Sequence, residues 1–250
     1  MLVVIALGAP LFAPYDPTDQ ALEHRFVKPG VAGHVLGTDG LGRDVLSRII
    51  YGSRSALLVG LVSVGIALTV GLLFGLIAGL SKRFVDQAVM LFMDAILSFP
   101  TVLLAITVVT FLGYGLVQVM VAMGIIYSPV FARLIRAETL AIKEEGYIES
   151  SRALGTPTGR MVVLHFMPNM AGKIIVQCAI IFALSVVVES SLSYLGLGTQ
   201  PPNPSWGLML KDARNYLLHS PHLAILPGLA IALTVLSFNM LGDSLSDIVD

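Results

Sequence analysis

Charged residues are scarce in this sequence. Asp, Glu, Lys and Arg make up 12% of its 250 residues, whereas hydrophobic residues make up 56%. Soluble domains carry roughly 25% charged residues, so the composition excludes an ordinary soluble protein. The net charge of −1 offers no basic surface for nucleic acid, which we exclude as a partner. A mean hydropathy of +0.86 predicts an integral membrane protein.

Several chemical signatures are also missing. The single cysteine, Cys178, excludes an intrachain disulfide. No G-x-x-x-x-G-K-[ST] phosphate loop occurs in the sequence, so this chain is not expected to hydrolyse ATP. Neither a G-x-S-x-G nor an H-E-x-x-H motif is present. We therefore predict no catalytic residue, no metal site and no cofactor bound by this chain.

Long apolar runs separated by polar segments fill most of the sequence. Such runs predict membrane-spanning helices, because a helix satisfies its own backbone hydrogen bonds in lipid. We predict an all-α integral membrane protein with six spans. They are placed at residues 1–14 (the end of a first span, short or truncated), 55–80, 90–112, 116–132, 174–195 and 223–241. Pro100 is expected to bend the third span.

Three glycines in the second predicted span are spaced four residues apart. Gly71, Gly75 and Gly79 therefore share one face of the helix. A face without side chains allows close approach of a neighbouring helix. We predict a tight helix–helix contact along it.

A compact charged motif precedes the second span and reads GTDGLGRDVLSR at positions 37–48. Two interpretations compete for it. Asp39 and Asp44 could bind a cation, or they could cap turns and pair with Arg43 and Arg48 at the membrane surface. No His or Cys joins them at metal-ligand spacing, so the structural interpretation is favoured.

Two carboxylates fall within predicted spans. Glu189 lies well inside the fifth, where a carboxylate is costly unless it is paired or wet. It faces either a translocation path or a buried partner on a neighbouring helix. Asp94 lies near the start of the third span. It could contact a pore or a partner subunit, but an interfacial or capping role is favoured.

A long polar interruption runs from Arg133 to Asn169. Gly155 can end one short helix within it. Thr156 can cap a second helix, with Pro157 at its first position and Pro168 closing it. We predict two short helices with a sharp turn between them, outside the bilayer.

Another polar segment separates the fifth and sixth predicted spans. Ser205 can cap a short helix in it, with Trp206 on the apolar face. Such a helix could rest on the bilayer surface, with Trp206 and Tyr216 at headgroup level.

These segments together resemble the permeases of ATP-driven (ABC) importers. Glu149-Ser150-Ser151, Gly155 and Met167-Pro168 resemble the Glu-Ala-Ala … Gly … Leu-Pro loop that docks on the ATPase subunit in that family. The motif at 37–48 resembles the signature of the dipeptide, oligopeptide and nickel subfamily. The resemblance implies coupling contacts at Glu149, Ser150, Ser151, Ala153, Leu154, Gly155 and Pro168.

The resemblance also implies the type I importer permease fold, as the second (C-type) permease of a multi-pass complex in the prokaryotic plasma (inner) membrane. The implied partners are a sister permease, two ATPase subunits that hold ATP and Mg, an extracytoplasmic substrate-binding protein and the lipid bilayer. Asp39, Arg43, Asp44 and Trp206 would form an outer-face signature. The implied regions are 1–52 (end of the first span and external segment), 53–243 (permease domain), 133–169 (cytoplasmic coupling loop) and 244–250 (cytoplasmic tail).

The implied function is a permease subunit that forms, with its sister permease, a path for di- or oligopeptides. One alternative is the same machinery importing nickel or a metal chelate. A more remote alternative is a secondary carrier, which would require charged pairs and broken helices at mid-membrane in matching halves. Lys and Arg divide almost evenly between the two sides, so the cytoplasmic placement of both chain ends depends on the resemblance.

Overall fold

The computed structural model describes residues 2–249, with side chains to residue 247. That part of the chain is helical, with two isolated β-bridges and no longer strand. The helices are α1 (Leu2–Leu7), α2 (Ala9–Phe12), α3 (Val45–Leu80), α4 (Arg83–Leu97), α5 (Thr101–Leu112), α6 (Leu116–Lys143), α7 (Gly146–Ala153), α8 (Thr158–Met161), α9 (Met167–Tyr194), α10 (Trp206–Ala213) and α11 (His222–Val249).

Four helical stretches are long and apolar enough to cross a membrane: α3, α6, α11 and the continuous stretch Thr158–Tyr194 that joins α8 to α9. The pair α4 and α5 would add a fifth span if it counts as one. The first predicted span corresponds to α1 and α2, which have six and four residues. A span needs about 17–25 residues, so the described residues supply four or five spans rather than the predicted six.

Helix α3 begins at Val45 rather than at the predicted Ser55. Its start is fixed by Asp44, whose Oδ2 accepts a hydrogen bond from the Ser47 amide at 2.8 Å. The end of the charged motif is therefore the first turn of a long helix. The predicted region boundary between residues 52 and 53 falls inside α3.

The glycine face of α3 packs directly against α6, which confirms the predicted close approach. A Cβ added at Gly75 would lie 2.8 Å from the carbonyl oxygen of Ala132, and one at Gly79 would lie 2.6 Å from the Thr139 Cβ. Any side chain larger than the hydrogen of glycine would therefore clash with α6 at these two positions. This seam runs along the main apolar core, which α3, α5, α6 and α9 share.

The third predicted span is not one helix. Helices α4 and α5 meet at 91° across a short break. The Ser98 amide and hydroxyl both bond to the Asp94 carbonyl and close α4. Pro100 is extended and precedes α5, because it lacks an amide hydrogen and disfavours helical geometry in the residue before it. Pro100 does interrupt the helix, as predicted, and the predicted span at 90–112 corresponds to two bent helices that together make at most one crossing.

The polar interruption is more helical than predicted. Helix α6 continues through Arg133 to Lys143, so the predicted loop begins inside a helix. Thr156 is not a cap, since α8 begins at Thr158 after Pro157. The predicted helix end at Pro168 is also wrong.

A π-turn at Val162–Phe166 lets the backbone pass through Pro168. The Met167 amide donates to the Val162 carbonyl, five residues back instead of four. This wider turn accommodates the missing amide hydrogen of Pro168 near the start of α9. The chain from Thr158 to Tyr194 is therefore one continuous helical stretch of 37 residues.

Residues 244–249 of the predicted tail continue α11. Asp250 lies outside the described residues.

Candidate functional site

Helix α7 ends in a Schellman motif centred on Gly155. The Gly155 amide donates to the Arg152 carbonyl at 3.0 Å, and the Thr156 amide donates to the Ser151 carbonyl at 3.1 Å. Gly155 has φ +77°, a conformation that glycine adopts without steric cost. The prediction that Gly155 ends a short helix is confirmed.

A single buried anchor holds α7 against the rest of the chain. Ile148 is fully buried in the main core, while Leu154 is 87% exposed at the end of the helix. The Leu154 side chain is therefore accessible to a partner subunit. Exposed residues of the predicted coupling set are Glu149, Ser150, Ala153, Leu154 and Gly155; Ser151 is half-buried.

Pro168 lies thirteen residues further along, at the exposed start of α9. The neighbouring Asn169 connects this position to α7, since its Nδ2 donates to the Tyr147 hydroxyl at 3.4 Å. Tyr147 also packs edge-on against His165, with ring centroids 5.7 Å apart. These contacts bring the two halves of the predicted coupling set to one end of the molecule.

Three ion pairs tie helices together near this end. Asp94 on α4 accepts from Arg133 on α6 at 2.7 Å, and the two side chains are about half exposed. Asp86 on α4 binds Arg136 on α6. A third pair, Glu138 with Lys173 at 2.8 Å, links α6 to α9. Placing Arg133 in a loop had hidden the partner of Asp94 from sequence reasoning.

Glu189 is buried among hydroxyl groups. It is 2% exposed, and its Oε1 accepts hydrogen bonds from the hydroxyls of Ser193 at 2.6 Å and Thr199 at 3.1 Å. The Ser193 hydroxyl in turn accepts from the Thr199 amide at 2.9 Å. In the described residues Glu189 forms no ion pair. Its carboxyl joins the end of α9 to the following turn.

The motif at 37–48 forms a network of hydrogen bonds and ion pairs at the opposite end of the molecule. Asp39 accepts from the amides of Leu41 and Arg43 at 2.8 and 3.0 Å, and from the Arg43 Nε at 2.6 Å. Arg43 also donates to Asp212, on α10, at 3.0 Å. The capping and pairing predicted for Asp39 are therefore observed.

Asp44 caps α3 and also contacts His34, whose Nδ1 lies 2.9 Å from its Oδ1. Arg48 is 1% exposed, with its Nη1 donating to the Pro17 carbonyl at 3.0 Å and its Nε 3.7 Å from Asp39. The motif thus fastens the preceding polar segment to the start of α3.

Trp206 is buried inside the protein rather than exposed on its surface, contrary to the prediction. It is 4% exposed, and its Nε1 donates to the Ile49 carbonyl at 3.0 Å. Gly52 on α3 makes room for the indole, since a Cβ there would lie 2.7 Å from the Trp206 Cδ1. Ser205 does cap α10, accepting from the Leu208 amide at 3.3 Å. Helix α10 therefore packs into the protein, where burial of the large indole is favourable.

Sequence comparisons identify relatives over the full chain. Residues 71–250 match the family described as "Binding-protein-dependent transport system inner membrane component". The chain is 42% identical to the glutathione transport system permease protein GsiD of Pectobacterium atrosepticum, covering 100% of this chain and 83% of that protein. It is 41% identical to the di/tripeptide transport system permease protein DppC of Pseudomonas aeruginosa, covering 100% of this chain and 84% of that protein. Identity to the dipeptide transport system permease protein DppC of Alkalihalophilus pseudofirmus is 39%, covering 99% and 81%.

Solved structures share the fold. The chain superposes on the inward-facing MetNI methionine ABC transporter with a TM-score of 0.68 at 18% identity, over 81% of this chain and 96% of that one. An amino acid ABC transporter with histidines gives a TM-score of 0.61 at 16% identity, over 79% and 92%. The all-helical fold is that of type I importer permeases. The chain belongs to the binding-protein-dependent transport permeases, and it is a non-enzymatic, multi-pass subunit of an ABC transporter in the bacterial inner membrane.

Proposed function

We propose that this chain is one of two permease subunits of an ATP-driven importer of di- and oligopeptides. The observation that carries the cargo assignment is the agreement among relatives. Three of them, each about 40% identical over nearly the whole chain, are named for transport of glutathione, di/tripeptides or dipeptides. Each of those ligands is a short peptide with a free carboxylate.

The family implies further subunits around this chain. We propose a sister permease, two ATPase subunits that bind ATP and Mg, and an extracytoplasmic substrate-binding protein. We also propose six spans in the assembled protein, with α1 and α2 belonging to the first. Asp39, Arg43, Asp44 and Trp206 would then lie at the outer mouth, opposite α7.

Helix α7 is the proposed contact with the ATPase. A docking helix must fit its partner closely and move as a rigid unit. Helix α7 meets this requirement through its hydrogen-bonded C-terminal end, its buried anchor Ile148 and its exposed Leu154. ATP binding would close the ATPases and carry α7 with them. The permeases would then switch the cavity between inward- and outward-facing states, a two-state equilibrium that nucleotide and loaded binding protein bias from opposite sides.

The first experiment is to tag this chain, express it with its chromosomal neighbours and identify what co-purifies in mild detergent. The proposal predicts a second permease and P-loop ATPases in stoichiometric amounts. The reconstituted complex, supplied with its binding protein, should import a labelled dipeptide only with ATP. Import of nickel without any peptide would establish the metal alternative, and ATP-independent transport by the chain alone would establish a secondary carrier.

A substitution at Gly155 tests the role of α7. Gly155→Glu places a large acidic side chain on the docking surface, and uptake per ATP hydrolysed should fall by about tenfold or more, as for loss of an interface hot spot. Gly159→Glu is the matched control, because Gly159 also has open space around its Cβ position but no positive φ. Gly155→Asn separates backbone strain from charge, since asparagine tolerates the left-handed conformation. Normal transport by Gly155→Glu at normal protein level would contradict the assignment.

A further inference from the structure

A cavity of about 350 Å³ lies between the external motif and α10. Apolar side chains such as Val45, Met209 and Leu223 form part of its wall. Its charged lining residues are Arg25, Asp39, Arg43, Arg48, Lys211 and Asp212. An apolar wall with a few converging charged groups is the usual construction of a small-ligand site.

The charges in this cavity do not balance. Asp39 and Asp212 both bind Arg43, and Asp39 also lies 3.7 Å from Arg48, so their negative charge is directed at these two guanidinium groups. Neither Arg25 nor Lys211 forms an ion pair in the described part of the chain. With Arg48 included, four lining cations face two lining carboxylates, and the cavity carries an excess of positive charge.

Arg48 supplies a second, independent observation. It lines the cavity and is almost completely buried, yet its Nη2 has no hydrogen-bond partner among the described residues. A buried guanidinium nitrogen without an acceptor is costly, because it has lost water and gained nothing in return. An anion in the cavity would offset the incompletely compensated charge of this guanidinium, although the enclosed Nη2 itself is closed to contact with a ligand.

A carboxylate is well suited to the arginine side chains of this cavity, because a planar guanidinium presents several hydrogen-bond donors to a planar carboxylate. We propose that the cavity binds the free carboxylate of a short peptide at the outer face of the permease. This inference rests on the proposed function, because it assumes that peptides reach this face. The volume lies at the lower end of the range for small-molecule sites, which suits a dipeptide. Its apolar wall would take a side chain of that peptide.

The test uses the complete transporter in nanodiscs without its binding protein. Dialanine and dialanine amide are the probes, measured by equilibrium dialysis with radiolabel. The amide lacks the carboxylate and should bind about tenfold more weakly or worse, as expected for a lost charge-assisted hydrogen bond. Equal binding of the two probes would overturn the proposal, as would absence of dialanine binding.

Variants then localise the site. Arg25→Gln and Lys211→Gln should each weaken dialanine binding about two- to fivefold, because both charges are exposed to solvent screening. Arg214→Gln is the matched control, since Arg214 is exposed nearby but does not line the cavity. If the two variants leave dialanine binding unchanged and instead weaken docking of the loaded binding protein, a protein carboxylate occupies the cavity and the proposal is wrong.

Uptake by the wild-type transporter separates a failure of the proposed importer function from a failure of the cavity assignment. A transporter that imports no peptide refutes the proposed function. A transporter that imports dialanine but shows no binding without its binding protein, or no effect of Arg25→Gln with Lys211→Gln, refutes only the cavity assignment.

Discussion

Substitution of Gly75 by alanine should separate α3 from α6 and destabilise the protein. The new Cβ would lie 2.8 Å from both the Ala132 carbonyl oxygen and the Ile135 Cβ. Reaching the 3.4 Å of ordinary contact requires a shift of 3.4 − 2.8 = 0.6 Å. One of the two obstacles is backbone, so the helices themselves must move apart. A gap of this size forfeits roughly a quarter to a half of each affected van der Waals contact.

The expected cost follows from two opposing effects. Alanine in a helix interior gains about 1 kcal/mol over glycine, whereas overpacking of a well-filled core costs about 1–3 kcal/mol. A backbone obstacle places Gly75→Ala at the upper end of that cost, so we expect a net loss of about 1–2 kcal/mol. Gly65→Ala on the same helix is the control, because nothing lies within 4 Å of its Cβ position. That variant should be neutral or more stable by up to about 1 kcal/mol.

Both variants can be compared by denaturant titration of the purified protein in detergent, followed by circular dichroism. The difference in stability between the two variants cancels effects of detergent and of alanine itself. Equal stability of the two variants, or a more stable Gly75→Ala protein, would show that α3 and α6 do not meet as closely as the structure describes.

Four other substitutions give distinct outcomes. Glu189→Gln keeps an acceptor for the Ser193 hydroxyl, so transport should stay within about twofold of wild type; loss of transport at normal protein level would instead place the charge of Glu189 on the translocation path. Arg43→Gln removes the nearest cation from the largely buried Asp39 and leaves only Arg48, at 3.7 Å, so it should lower the free energy of unfolding by about 3 kcal/mol, the lower end of the cost of breaking a buried pair. Asp212→Asn, at a side chain that is 42% exposed, should cost less than about 1 kcal/mol; equal losses in denaturant titrations would contradict the network. Asp94→Asn breaks an exposed ion pair, so thermal unfolding should move little, corresponding to less than about 1 kcal/mol, and a larger shift would mean that the pair is more important than its exposure suggests.

The parts of the fold that sequence reasoning predicted well are those governed by local rules. The length of the apolar runs predicted where the long helices lie, and the four-residue spacing of the glycines predicted the close contact that α3 makes around Gly75. Gly155 was identifiable as a helix end because few residues other than glycine adopt its conformation readily. Asp44 and Ser205 were identifiable as caps for a similar local reason.

The errors arose where tertiary contacts override local preference. Arg48 looked like a surface residue, yet Pro17 and Asp39 supply partners that permit its burial inside the first turns of α3. Trp206 suited a membrane interface, but the space above Gly52 made burial available. Pro168 has the composition of a helix end, and only a wider turn upstream allows the helix to continue.

The predicted coupling set was recognised from resemblance rather than from physical pattern. Glu149 and Ser150 are ordinary exposed polar residues, and nothing in their spacing distinguishes a docking helix from a solvated one. The cavity beside α10 could not be anticipated at all, because Arg25, Arg48 and Lys211 are far apart along the chain. Only the folded external segment brings them to one wall.

The unbroken helical stretch from Thr158 to Tyr194 has a mechanical consequence. Its 37 residues span about 55 Å at 1.5 Å per residue, well beyond the roughly 30 Å hydrocarbon thickness of a bilayer. One continuous backbone segment therefore begins beside α7 and runs past Glu189 to Tyr194. A tilt of about 5° around the α7 end would displace the other end by about 5 Å, close to one helical turn. Small angular adjustments beside α7 would thus reach the turn after α9 as large translations, without a relay of side chains in between.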